Sequence, residues 1–304
     1  MIGVPYSRYV RDYRCLVEGN LACCETFGID MVSAISDPYR ETSGFGAHVI
    51  FPEDDVPKCT DFFIKQYSDL KELSIHRPLE CERMLDRIRA VELYKSQAGR
   101  TYPILGWVEG AFAEANDLRG MTGIMMDLYD EPSFIKELLE IYNEQAIEFA
   151  REQIRAGADF IGIGDAAASL VGPNIYREFV LPCEKKLIEA IHRAGAKTKL
   201  HICGNITSLL DDIPLSGTDM ADVDWMVNFG KAVESFGSCC ACGNFDPVKV
   251  LLEGTPASVS AAVESCVKVA GNNTFIAAGC EVPRETPHEN LLAVRDTLGS
   301  HIPL

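Results

Sequence analysis

The amino-acid sequence predicts an α/β protein, a single (β/α)8 TIM barrel over residues 1–304. Three features carry that reading. Eight short apolar runs alternate with helix-period segments, the runs are near-continuously apolar, and polar, metal-capable residues recur where the runs end. Continuous apolarity is how strands of a parallel sheet read when both faces are covered. Alternating strands and helices build either a barrel or a doubly wound sheet. The first run is not followed by a dinucleotide glycine fingerprint, and an isolated Gly162-x-Gly164 is weak, so the barrel is favoured.

In chain order the candidate strands are DMVSAIS (30–36), AHVIF (47–51), YPILGWV (102–108), ADFIGIG (158–164), KTKLHIC (197–203), DVDWMV (222–227), CCACGNF (239–245) and TFIAAGC (274–280). Between them, residues 133–155 place Phe134, Leu138, Ile141, Tyr142, Ile147, Phe149 and Ile154 at helical spacing, with Gly157 as a stop. Residues 174–194 repeat the pattern through Ile175, Phe179, Leu187 and Ile191 to Gly195, and Pro182 must kink or split that helix. Thr255-Pro256 and Thr286-Pro287 each read as an N-cap hydroxyl before a first-turn proline, the second with Glu289 at the capping-box position. No low-complexity stretch or linker divides the chain.

Composition excludes several classes. The chain carries 45 acidic against 28 Lys+Arg residues, a net charge of −17, which disfavours nucleic acid and anionic membrane surfaces as partners. No spanning-length apolar run or signal-peptide core is present, so a cytoplasmic protein is expected. Twelve cysteines in such a chain are expected to stay reduced, most of them packed, some available to bind metal.

In a barrel the chemistry sits at the C-terminal ends of the strands. The residues there are Asp37, Trp107 with Glu109, Asp165, His201 with Cys203, Asp224, Asn244 with Asp246, and Cys280 with Glu281. Side chains two apart on a strand share a face, so His201 and Cys203 are placed to hold one ion, with Cys280 brought across the barrel as a third donor. Three such donors with one free position describe a catalytic zinc. Spacing alone also permits a hydrogen-bonded core histidine with two packed cysteines. Cys239, Cys240 and Cys242 crowd one strand without a companion histidine and are read as packing, as are Cys23 and Cys24. His48, His76, His192, His288 and His301 are isolated. Asp165 and Asp246 have readings as helix caps, and Asp37 before Pro38 as a turn. Glu109 is placed in a loop over the barrel mouth. Asp37, Glu109 and Asp165 are the candidate pocket-lining or catalytic carboxylates.

The segments ISDPYRE (35–41), WVEGAFAEANDLRG (107–120), GIGDAAASL (162–170), HICGN (201–205), GNFDP (243–247) and AAGCEVPRETPHENL (277–291) resemble the uroporphyrinogen decarboxylase superfamily over nearly the whole chain. HICGN with AAGCEVP resembles its cobamide-dependent methyltransferase branch. That resemblance implies zinc held by His201, Cys203 and Cys280, a methylated corrinoid (methylcobamide) delivered by a partner corrinoid protein, and a small thiol acceptor such as coenzyme M, with another thiol or a folate as alternatives. The acceptor sulfur, kept ionised by zinc, would attack the methyl group. Asp37, Glu109 and Asp165 would line the pocket. The decarboxylases' arginine-rich Arg-Gln-Ala-Gly-Arg stretch has no counterpart at the start of this chain, and a polycarboxylate porphyrinogen meets a charge of −17, so decarboxylation is disfavoured. A non-catalytic barrel that binds corrinoid or a partner is the third reading.

Overall fold

A computed structural model describes residues 1–271 and 273–301; Asn272 and the last three residues of the expected 1–304 domain lie outside the described residues. Seven parallel strands form the sheet: β1 (Val32–Ser33), β4 (Ile104–Glu109), β5 (Phe160–Gly164), β6 (Lys197–His201), β7 (Met220–Val223), β8 (Cys240–Phe245) and β9 (Thr274–Ala278). They pair in the order β1-β4-β5-β6-β7-β8-β9, all parallel. A doubly wound sheet reverses its order partway, so this monotonic order selects the barrel type. Residues paired around it include Glu109 with Gly164 and Gly164 with His201, which brings the strand ends to one rim.

The run AHVIF does not join the barrel. His48–Ile50 is β2 and pairs antiparallel with β3 (Lys58–Asp61) in a hairpin whose turn accepts the Ser7 amide at Glu53. The one helix between β1 and β2 is the five-residue Arg40–Gly44. The exposed–intermediate–exposed pattern of β2 differs from the fully buried β4 and β8.

The helices follow the sequence closely. Pro132–Ala156 ends on Gly157 at φ 118°, a left-handed conformation that glycine adopts without strain. Pro182 does split its helix: Tyr176–Val180 is a π-helical turn, and Leu181–Ala194 continues beyond it. Thr255 caps Pro256–Val269 by accepting from the Ser258 amide. The second expected cap fails. The last helix is His288–Gly299 with Pro287 at its N-cap, and the Thr286 hydroxyl is buried without a partner, because the helix starts too late for Thr286 to reach it. Strand and helix faces share one continuous core from Leu16 to Cys266. No described helix is long and apolar enough to cross a membrane.

The pair Gly162 and Gly164 has a packing role rather than a nucleotide-binding one. A Cβ on Gly162 would lie 2.1 Å from Trp107 Cε3, and one on Gly164 would lie 2.8 Å from Glu109 Oε2. Their bareness lets two large side chains of β4 lie over β5. Gly162→Ala is therefore expected to cost about 1–3 kcal/mol of stability in urea unfolding, since the buried indole has no free space to move into. An unchanged midpoint would contradict this packing.

Candidate metal centre

The cluster is built on β6. His201 is the last residue of the strand, Ile202 is buried, and Cys203 returns to the face of His201. Although β6 ends before Cys203, the two side chains do meet: His201 Nε2 and Cys203 Sγ are 2.8 Å apart. Cys280 follows β9. The Gly279 amide donates to the Phe245 carbonyl at 2.9 Å, and a Cβ there would sit 2.4 Å from the Trp225 nitrogen, so the chain passes close beside the loop after β7. That passage sets Cys280 Sγ 3.6 Å from Cys203 Sγ. The three donor atoms all lie within 4.8 Å of one another, and all three residues are half-buried. Donors of a tetrahedral zinc at ~2.0–2.3 Å stand about 3.5–3.8 Å apart, so the two sulfurs already fit, and the nitrogen–sulfur pair opens by about 1 Å or less.

Asp222, which the strand-end pattern does not single out, orients the cluster. It lies on β7 and accepts from His201 Nδ1 at 2.7 Å and from Lys199 Nζ at 2.5 Å, both on the same oxygen Oδ2. This fixes the imidazole with Nδ1 toward the carboxylate and Nε2 toward the sulfurs. The sequence places a strand over 222–227 (DVDWMV), whereas β7 runs Met220–Val223. Asp222 is therefore a residue within the strand, and Trp225 and Met226 are an exposed lip, 43% and 45% accessible. Asp224, expected at the strand end, is buried and accepts from the Gly204 amide at 2.7 Å and the Trp225 amide at 2.6 Å, tying the two loops together.

The electrostatics favour a charged cluster before any metal arrives. Burial works against the His201 imidazolium, but the hydrogen bonds to Asp222 and Cys280 outweigh it and push His201 up to about 9. Hydrogen bonds from Cys203 and His201 pull Cys280 down to about 4 against burial, while Cys203 is pushed up by Cys280 and by desolvation. Burial would raise Asp222; Lys199 and His201 reverse this and hold it well below the usual carboxylate range.

The three candidate carboxylates stand in different settings. Asp37 accepts from Ser36 Oγ at 2.7 Å and the Tyr39 amide at 3.1 Å, the expected turn, and is also ion-paired with Arg83. Glu109 is the last residue of β4 rather than part of a loop; it pairs with fully buried Arg40 and accepts from Trp107 Nε1 at 3.2 Å. Burial and the neighbouring Glu41 push Glu109 up to about 8 despite Arg40. Asp165 does not cap the turn that follows it. Its Oδ1 accepts from the Ala113 amide at 2.8 Å, so it caps the helix Ala111–Arg119 of the neighbouring unit, and burial pushes it up to about 7. Asp246 is a local cap, accepting from the Val248 and Lys249 amides. Trp107 is the aromatic beside His201, with ring centroids 6.1 Å apart.

All twelve cysteines are free thiols. Cys239, Cys240 and Cys242 are buried, the last two against Met220, as packing predicts. The other histidines lie outside the cluster; His192 bonds Asp219 and His301 bonds Glu264.

A parallel barrel carries at its C-terminal rim a His-Cys-Cys set whose donor atoms lie close enough together to hold one metal ion. The chain belongs to the uroporphyrinogen decarboxylase family, whose model, described as uroporphyrinogen decarboxylase (URO-D), matches residues 1–301. Among relatives, the methylcobamide:CoM methyltransferase MtbA of Methanosarcina mazei is 29% identical over 237 residues, 77% of this chain and 69% of its own. A uroporphyrinogen decarboxylase of Trichodesmium erythraeum is 29% identical over 225 residues, 70% of this chain and 63% of its own. The fold matches a solved methyltransferase from Methanosarcina mazei at TM-score 0.91 and 23% identity, over 99% of this chain and 89% of the other.

With His201 and Cys203 pushed up and Cys280 pulled down, a zinc ion bound by all three would release about two protons at neutral pH. Its affinity should then fall by about two decades per unit drop in pH between roughly pH 8 and 5. Chelator competition across that range measures this; a pH-independent affinity would contradict the cluster's charge state.

Proposed function

We propose that this protein is a corrinoid-dependent methyltransferase that moves a methyl group from a methylated corrinoid on a partner protein to the sulfur of a small thiol. Coenzyme M, the acceptor for which the Methanosarcina relatives are named, is one such thiol. The observation that carries the reading is the convergence of His201, Cys203 and Cys280 within 4.8 Å at the barrel rim, half-buried.

In this reading His201, Cys203 and Cys280 hold zinc. When bound, zinc supplies a Lewis acid that keeps an incoming sulfur ionised at neutral pH, where a free thiol, with a pKa near ~8.5, is mostly protonated. Asp222 and Lys199 hold the His201 tautomer. The acceptor sulfur's electron pair forms the new C–S bond while the Co–C pair stays with cobalt, giving Co(I). Asp37 and Glu109, locked by Arg83 and Arg40, and the buried Asp165 shape the wall against which the acceptor is oriented. Half-burial of the cluster leaves it approachable by a macrocycle too large to enter the barrel.

The decarboxylase reading rests on the equal identity to the Trichodesmium enzyme. It makes no use of a thiolate cluster, and the two are separated by one set of assays. Purified protein is expected to hold zinc and to methylate a thiol from methylcobalamin. His201→Ala and Cys280→Ser should each lower that rate by about a hundredfold or more. Retained methyl transfer in both variants, or conversion of a porphyrinogen by the zinc-free protein, would overturn the proposal.

A further inference from the structure

Cys203 and Cys280 face each other as well as a shared metal position. Their Sγ atoms are 3.6 Å apart, and both residues are half-buried, so solvent reaches them. Among the described residues this is the one hydrogen-bonded contact between two sulfurs. Cys24, Cys59, Cys183 and Cys239 turn their thiols to carbonyl oxygens instead. A disulfide holds its sulfurs at ~2.05 Å, so an approach of about 1.5 Å joins the pair. Neither cysteine lies in a strand, since β6 ends at His201 and β9 at Ala278. Gly204, at φ 89°, follows Cys203, and Gly279 precedes Cys280. The approach therefore falls on two loops and leaves the sheet's hydrogen bonds intact.

We propose that Cys203 and Cys280 are a reversible oxidation site, joined as a disulfide by a peroxide, so that two of the three metal donors are withdrawn at once. The proposal names a regulation of the metal centre described above, and it rests on that reading for its consequence, loss of the metal and of methyl transfer. One cysteine sulfur attacks the O–O bond of hydrogen peroxide and becomes a sulfenic acid, and the departing oxygen takes up a proton and leaves as water. The second thiolate then attacks the sulfenic sulfur and expels hydroxide, which is protonated to a second water. The two sulfurs have given two electrons to the peroxide, so two thiols and one peroxide become one disulfide and two waters. At 3.6 Å the second sulfur is placed to trap the sulfenic acid before it passes on to the irreversible sulfinic acid. Metal-bound sulfurs share their electron pairs and react more slowly, whereas disulfide sulfurs are no longer thiolate donors and leave His201 as the sole ligand.

The test treats the whole chain, stripped of metal by a chelator, with one equivalent of hydrogen peroxide, then unfolds it and titrates its thiols. It is expected to lose two of its twelve thiols and to yield a linked Cys203–Cys280 peptide two hydrogens lighter, with no added oxygen. Dithiothreitol should restore all twelve thiols and the capacity to take up zinc. Protein loaded with zinc beforehand should lose the same pair about tenfold more slowly, with one zinc reaching a chromophoric chelator per link formed. Cys203→Ser, its fold checked by unfolding midpoint, should leave Cys280 as a sulfenic acid that dimedone labels. Links among other cysteines, or sulfinic acid on Cys203 and Cys280 in place of the link, would overturn the proposal. If the link forms but zinc neither slows it nor is released, the metal-centre reading fails and the regulatory consequence falls with it. If zinc binds to the cluster and no link forms, the oxidation site fails alone.

Discussion

One carboxylate oxygen organises the site. Asp222 Oδ2 receives both Lys199 and His201, two side chains on the same face of β6. A buried carboxylate with a single partner is expensive to keep ionised, and a buried histidine without a fixed partner presents either nitrogen. Sharing the oxygen between an ammonium and an imidazole meets both needs. It leaves Nε2 as the atom facing Cys203 and Cys280. The order of parallel strands matters here, because the barrel winds without reversal and so makes β6 and β7 neighbours. Fold and site are thus joined at one hydrogen-bonded pair across two adjacent strands.

Behind the rim the protein buries a group of acids. Glu41, Glu109, Glu114 and Asp117 gather about one guanidinium, Arg40. Burial and mutual repulsion push Glu109 up to about 8 and Asp117 up to about 7, and Glu114 rises well above the usual carboxylate range. Both oxygens of Glu114 are buried without a partner, so this cluster shares protons rather than carrying its full formal charge. The charge of −17 therefore overstates what the interior bears and is expressed mainly at the surface.

Much of this is legible in the sequence. Seven of the eight apolar runs are barrel strands, because continuous burial leaves a continuous apolar mark. His201, Cys203 and Cys280 are identifiable since strand alternation is rigid over two residues and the strand ends share a rim. What is not legible depends on register or on long-range pairing. AHVIF has strand composition, but its partner is the later strand Lys58–Asp61, with which it forms a hairpin outside the barrel. Trp225 and Met226 are apolar yet exposed, which draws the expected β7 too far along the chain and hides Asp222. Arg40's pairing with Glu109 and Arg83's with Asp37 carry no local signal, because these partners lie 69 and 46 residues away in the chain. Gly162 and Gly164, by contrast, read as a motif but serve to seat Trp107 and Glu109.

The central claim is that His201, Cys203 and Cys280 form one metal centre with a position open to an acceptor sulfur. X-ray absorption at the zinc edge tests it most directly. The protein as purified is predicted to show two sulfur scatterers at ~2.3 Å and one histidine nitrogen at ~2.0–2.1 Å, with a third sulfur joining at ~2.3 Å when a thiol is added. A shell with no sulfur, or one already closed by four protein ligands and unchanged by thiol, would contradict the account.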